Sequence, residues 1–291
     1  MAAKKLVILV LAAAVLLAAG CSSTRLAYMS VALAYSNLTP MAVWWVDDYV
    51  DLRGEQREWV RARIDAAHAW HRARELPEYR RWLETILDDS QDGISADEAR
   101  AAYVEMRSRY HRLLAHIAPD IADFLLQLDA VQVKQLERKF SDDERRMVKD
   151  SLEATAEERQ ARRVRTYLEH IEEWTGKLST AQRGLVAGHV RAIPELFEER
   201  LAERRYRTGE TIALLHAHPS HAEMTAAMTR LLVETDSWRR PDYVARQQAR
   251  ERALFEMIAA LSATLGADQR AHFRARVRGY MGDISELIAA S

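Results

Sequence analysis

Residues 96–117 read ADEARAAYVEMRSRYHRLLAHI, and in them Ala99, Tyr103, Met106, Tyr110, Leu113 and Ile117 follow one another at alternating intervals of four and three. Such spacing returns to the same side of a cylinder at every turn, so it predicts an amphipathic helix with one apolar seam. Ser95 and Glu98 sit at its start, where the hydroxyl can accept from the Glu98 amide while the carboxylate accepts from the Ser95 amide. The same reciprocal cap is available to Thr155 with Glu158 and to Ser220 with Glu223. Leu76-Pro77-Glu78, Ala118-Pro119-Asp120 and Ile193-Pro194-Glu195 place a proline beside an acid, which suits a first helical turn and predicts kinks or restarts there.

Composition extends that reading to the whole chain. Of 291 residues, 48% are apolar and 29% charged, and there are only 10 glycines and 6 prolines. An all-β chain needs turn residues at intervals of about 8 to 12, far more than are present. The sequence therefore predicts an all-α, multi-helix bundle of kinked amphipathic helices. Its 42 basic and 43 acidic residues nearly cancel, which leaves no electrostatic footprint for nucleic acid.

The amino-terminal end predicts a location. Lys4 and Lys5 precede an unbroken apolar run from Leu6 to Ala19, closed by Gly20 and Cys21. The run is shorter than the roughly 20 residues a spanning helix takes, and its layout is that of a removable secretory signal. The segment Leu16-Leu17-Ala18-Ala19-Gly20-Cys21 resembles the lipobox of bacterial lipoproteins, with Ala18 where that family usually carries leucine. The resemblance implies cleavage before Cys21, a diacylglycerol on its thiol and an acyl chain, such as palmitate, on the new amine. Cys21 is the only cysteine, so no intramolecular disulfide is possible. Ser22 stands where inner-membrane retention commonly uses aspartate, which implies the periplasmic face of the outer membrane. Three regions follow: a signal peptide at 1–20, a lipidated aromatic-rich segment at 21–50, and a helical periplasmic domain at 51–291.

The 21–50 segment holds Tyr28, Tyr35, Trp44, Trp45 and Tyr49 and is divided by Pro40 into two helical stretches. Trp44 and Trp45 have two possible placements, at the level of lipid headgroups or docked on the helical core, and docking is the expected one.

A motif recurs four times in the domain: leucine, three residues, glutamine, then apolar residues four and eight places on. The copies are Leu52/Gln56/Val60/Ile64, Leu128/Gln132/Leu136/Phe140, Leu178/Gln182/Val186/Val190 and Leu265/Gln269/Phe273/Val277. Gln182 can reach back to the amide of a capping Ser179, and Gln132 to that of Asp129. Gly266 is a weaker cap, and Arg53 a poor one, so the first copy is expected inside a helix. The motif resembles the LTxxQ signature of Spy-like periplasmic proteins, which implies ATP-independent chaperoning or envelope-stress regulation; no copy here has threonine in second place. A capped helix start alone accounts for the motif, and that is the expected reading. Intervals of 76, 50 and 87 residues between copies exclude a regular solenoid but permit a duplication with halves 51–175 and 176–291.

A broader resemblance joins the lipobox, the aromatic stretch, Asp51-Leu52-Arg53-Gly54-Glu55-Gln56, and His71-Arg72 leading into Glu75-Leu76-Pro77. Together they look like a family of uncharacterised bacterial lipoproteins of about this length, which implies a class and a place but no activity.

Two clusters have the residue types that chemistry uses. Asp65, His68, His71 and Glu75 share one broad helical face, though Trp70 and Arg72 beside them read as packed surface. His216, His218 and His221 lie near a helix start beside Glu223, which already has a capping role. No nucleophile elbow, phosphate-cradling glycine loop or HExxH helix is present. The expectation is a non-enzyme without catalytic, metal or cofactor residues, acting on envelope proteins or unfolded clients as a chaperone-like scaffold. The alternatives are a histidine-based metal-binding lipoprotein and a purely structural envelope component.

Overall fold

A computed structural model of the chain describes Tyr35, residues 37–152 and residues 154–290. The predicted leader at 1–20, Cys21 and Tyr28 lie outside the described residues. Those that are described form helices and connecting turns, with no strand among them. In chain order the helices are α1 (Leu38–Val50), α2 (Glu55–Trp70), a π-helical turn (His71–Glu75), α3 (Leu76–Asp89), α4 (Ala96–Leu125), α5 (Ala130–Leu152) and α6 (Ala156–Thr175). They continue with α7 (Thr180–Ala192), α8 (Phe197–Ala217), α9 (His221–Leu232), a 3₁₀ turn (Thr235–Ser237), α10 (Pro241–Ser262) and α11 (Ala267–Ala289).

The chain folds into two compact units, each drawn from three stretches of sequence. The first takes residues up to Glu75 with Ser108–Asp150 and Phe197–Arg239; the second takes Leu76–Arg107, Ser151–Leu196 and Arg240–Ser291. The contiguous halves 51–175 and 176–291 do not coincide with these two units.

The first unit is built around Val43 and Val50 of α1, Val60 of α2, Ala118 and Ala122 of α4, Leu136 of α5, and Met224 and Met228 of α9. The second has its own core of Leu168, Leu178, Val186, Val190, Ile193, Met257 and Leu261. There α7 packs on both α6 and α10, and α11 on α3 and α6. Val186 and Val190 are fully buried, which fits their place four and eight residues after Gln182. The seam read on α4 is only partly enclosed: Ala99 is buried, whereas Tyr103, Met106, Tyr110, Leu113 and Ile117 are half-buried. Beyond Arg109 the buried line moves to Ala118, Ala122 and Leu125, of which the two alanines admit close helix packing.

The three proline sites behave differently for identifiable reasons. Between α2 and α3 the backbone stays helical but widens into a π turn immediately before Leu76-Pro77. Proline has no amide to offer and its ring crowds the carbonyl one turn back, and a wider turn relieves both. Pro119 lies within α4, which continues past it. At Pro194 the helix stops: Ile193 is extended, as a residue before proline prefers, and α8 restarts at Phe197. Arg163, Arg250 and Arg246 donate to the carbonyls of Ile193, Pro194 and Glu195, so this break is held by three guanidinium groups.

Both partners of each predicted cap meet at Ser95/Glu98, Thr155/Glu158 and Ser220/Glu223. Replacing Thr155 by alanine should cost about 1 kcal/mol of unfolding free energy in denaturant titration, the usual worth of such a cap. An unchanged midpoint would show that α6 does not depend on it.

Two expectations need correction. Trp44 and Trp45 do not dock on the core: they are 64% and 61% exposed, because the buried side of α1 is taken by Thr39, Val43 and Val50. The first motif copy is not inside a helix. Asp51 and Gly54 have positive φ (55° and 42°), which ends α1 and lets α2 start at Glu55. Glycine suits that position because side chains rarely tolerate positive φ.

Candidate functional site

Four helix starts carry the LxxxQ motif, and their glutamines meet in pairs. In the first unit Gln56 faces Gln132: Gln56 Nε2 donates to Gln132 Oε1 (3.1 Å) and Gln132 Nε2 to Gln56 Oε1 (2.7 Å). In the second, Gln182 and Gln269 exchange the same two bonds at 2.9 and 3.0 Å. Each Oε1 also accepts from the backbone amide three residues earlier, those of Arg53, Asp129, Ser179 and Gly266. Each Nε2 makes its second bond to the carbonyl immediately before the partner motif's leucine. Gln56 reaches Gln127 and Gln132 reaches Asp51; Gln182 reaches Thr264 and Gln269 reaches Lys177.

The arithmetic of a primary amide explains the residue type. Glutamine has two N–H donors and two acceptor sites, and all four are filled at every copy. Glutamate lacks the donors, and asparagine is one methylene too short to reach back to the cap. Gln132 and Gln182 are buried at 1% and 7% exposure, where an unfilled amide would be costly. Each clasp thus joins two helix starts far apart in sequence by two side chains. The motif leucines lie beside it, Leu52 and Leu178 being buried and Leu128 and Leu265 half-buried. The capping function was legible from spacing at three of the four copies; the pairing was not, because nothing in one copy names its mate.

The other cluster surrounds the π turn of the first unit. His71 is buried, and its Nδ1 shares a 3.0 Å hydrogen bond with the Tyr35 hydroxyl. Burial, with the adjacent His68, pushes the His71 imidazole down to about 4, so it is neutral at pH 7. Burial also lowers His68, assisted by Arg72, and raises the Tyr35 phenol. Arg72 lies over the Tyr35 ring, 5.6 Å from its centre. Glu75, 3% exposed, is gripped by Arg112 through Nε at 3.1 Å and Nη2 at 3.2 Å.

The four residues read as one face are therefore assigned separately. Asp65 accepts from Thr39, His71 engages Tyr35, Glu75 engages Arg112, and His68 lies tilted against the Tyr35 ring at 4.1 Å. Trp70 is packed, stacked on His116 at 3.9 Å. The HxHxxH residues separate as well. His216 bonds Glu137, His221 pairs with Asp123, and Glu223 caps Ser220. Among the described residues, no group of three or more His, Cys, Asp or Glu side chains is placed to hold a metal ion.

A family profile described as a family of unknown function, DUF6279, matches residues 48–244, more than half of the chain. The chain belongs to this family. The match takes in the first three motif copies, the π turn and both histidine clusters, and the fourth copy lies beyond it. No curated protein and no solved structure matches the chain. No helix among the described residues is long and apolar enough to cross a membrane.

Proposed function

We propose that this family member is a lipid-anchored periplasmic protein, held through Cys21 at the inner face of the outer membrane, that engages other proteins as a chaperone-like scaffold. The observation that carries the non-chemical reading is the internal engagement of its reactive residues. The histidines and carboxylates most suited to acid–base or metal chemistry bond instead to Tyr35, Arg112, Thr39, Glu137, Asp123 and a helix cap. His71 and Glu75 are in addition buried, at 8% and 3% exposure, whereas proton transfer needs direct reach of the substrate.

Support for transient contact with unfolded chains, which needs no stable interface, comes from apolar side chains left outside. Leu126 and Val131, 37% and 59% exposed, flank the turn that carries Leu128, just ahead of Gln132 in α5. The likeness to Spy-like motifs points the same way, since that family holds unfolded chains without ATP.

The reading is tested by adding the purified chain to a chemically unfolded client and following light scattering. Aggregation should fall in proportion to added chain, without nucleotide. Crosslinking in intact cells should then recover envelope proteins joined near Leu126 and Val131. No effect on scattering, with no crosslinks at those positions, would contradict it.

A further inference from the structure

We propose that Met41, Trp44 and Trp45 on α1 form a secondary membrane contact that lays the first helix against the lipid headgroups. This rests on the anchoring reading above.

The three side chains lie at positions zero, three and four of one helix, so they share a face. They are 43%, 64% and 61% exposed, whereas the other five tryptophans are each only half-exposed or less. Trp59 stacks on Phe124, Trp70 on His116, Trp174 on Tyr280 and Trp238 on Tyr206, while the Trp82 indole donates to the Ala102 carbonyl. Trp45 is held in place as well as exposed. It leans on Tyr49 at 5.3 Å, and Tyr49 is fixed by its bond to Asp143 and by Phe140.

Chain length makes a bilayer the occupant. Residues 22–37 separate Cys21 from α1 and contain a single charge, Arg25. Fully extended they reach about 55 Å, so α1 stays close to any anchored sulfur. Three side chains are too few for a stable protein interface, which takes roughly 800 Å² from each partner. For a chain already tethered, a weak contact is sufficient, because the effective concentration of the surface is of millimolar order. Indole rings, apolar in body with one N–H, are favoured where hydrocarbon meets headgroup.

Charge next to the patch is balanced. On α1 itself the two charged residues are paired, Asp47 with Arg57 and Asp48 with Lys139. The contact should accordingly depend on rings and hardly on salt.

The test uses the full lipidated chain in vesicles of phosphatidylethanolamine and phosphatidylglycerol whose acyl chains carry bromine near the headgroup. Tryptophan emission of the wild type should be quenched, about equally in 0.1 and ~1 M salt. Trp44→Gln with Trp45→Gln should remove most of that quenching while the chain still floats with the vesicles. Trp44→Gln alone, at a site remote from the core, should remove part of it. Equal quenching of wild type and double variant would overturn the proposal. So would shielding of the two rings from acrylamide before lipid is added, which would mean that protein covers them. Flotation of Cys21→Ser separates this from the tether: if it floats like the wild type, the anchor reading fails, whereas flotation without ring quenching sinks only the patch.

Discussion

Gln132→Ala is expected to cost about 4 kcal/mol of unfolding free energy, more than any single cap in the molecule. The side chain is 1% exposed and makes four hydrogen bonds. Truncation leaves the Asp51 carbonyl, the Asp129 amide and half of the Gln56 amide without partners, at about 1 to 3 kcal/mol for each group that stays buried. Gln56 is half-exposed and water can rescue it in part, which holds the sum below the full total. Gln132→Glu is a sharper probe. At pH 7 its carboxylate would face the Asp51 carbonyl with no proton to offer, so it should be at least as harmful as alanine. Burial raises the folded pKa of such a glutamate, so the variant's deficit relative to wild type should shrink as pH falls through that raised value. Combining Gln56→Ala with Gln132→Ala should cost much less than the two separately, because each removes the other's partner. Additive losses in a denaturant cycle would show that the two amides do not act as a clasp.

Acid should weaken the first unit through His71. Its folded pKa is about 4, while an unfolded histidine titrates near 6.5. Between those values the unfolded chain binds more protons than the native one, so stability rises with pH across that window and falls on acidification. The displacement corresponds to about 3 kcal/mol, fully present above pH ~6.5 and lost by pH ~4. His71→Gln keeps a hydrogen-bonding group for Tyr35 without an ionisable ring, and its stability should be correspondingly flatter over the same interval. Parallel pH profiles for the two proteins would contradict a buried neutral imidazole.

Helix positions were largely open to reading, because caps are local. Ser95 with Glu98 and Thr155 with Glu158 declare a helix start within four residues, and the structure places both pairs as spacing requires. Side-chain partners across the fold were not open to reading in that way. Gln56 and Gln132 are 76 positions apart, and Glu75 and Arg112 are 37 apart; only the folded chain brings them together. Trp44 and Trp45 misled for a related reason. Large rings are usually buried, but whether a given helix face finds a neighbour is decided by packing, and on α1 the inward side belongs to Val43 and Val50. Asp65, His68, His71 and Glu75 do share a helical run, yet Asp65 goes to Thr39 and Glu75 to Arg112, while the two histidines meet at Tyr35 beside the π turn. Periodicity shows which residues share a face, and it says nothing about what that face meets.

Placement in the envelope underlies the whole functional account, and one determination addresses it: intact mass and fragmentation of the amino terminus of the protein isolated from cell membranes. The account predicts a chain that begins at Cys21, carrying a diacylglyceryl group on sulfur and an acyl group on nitrogen. A chain that still begins at Met1, or one with a free Cys21 thiol, would contradict it.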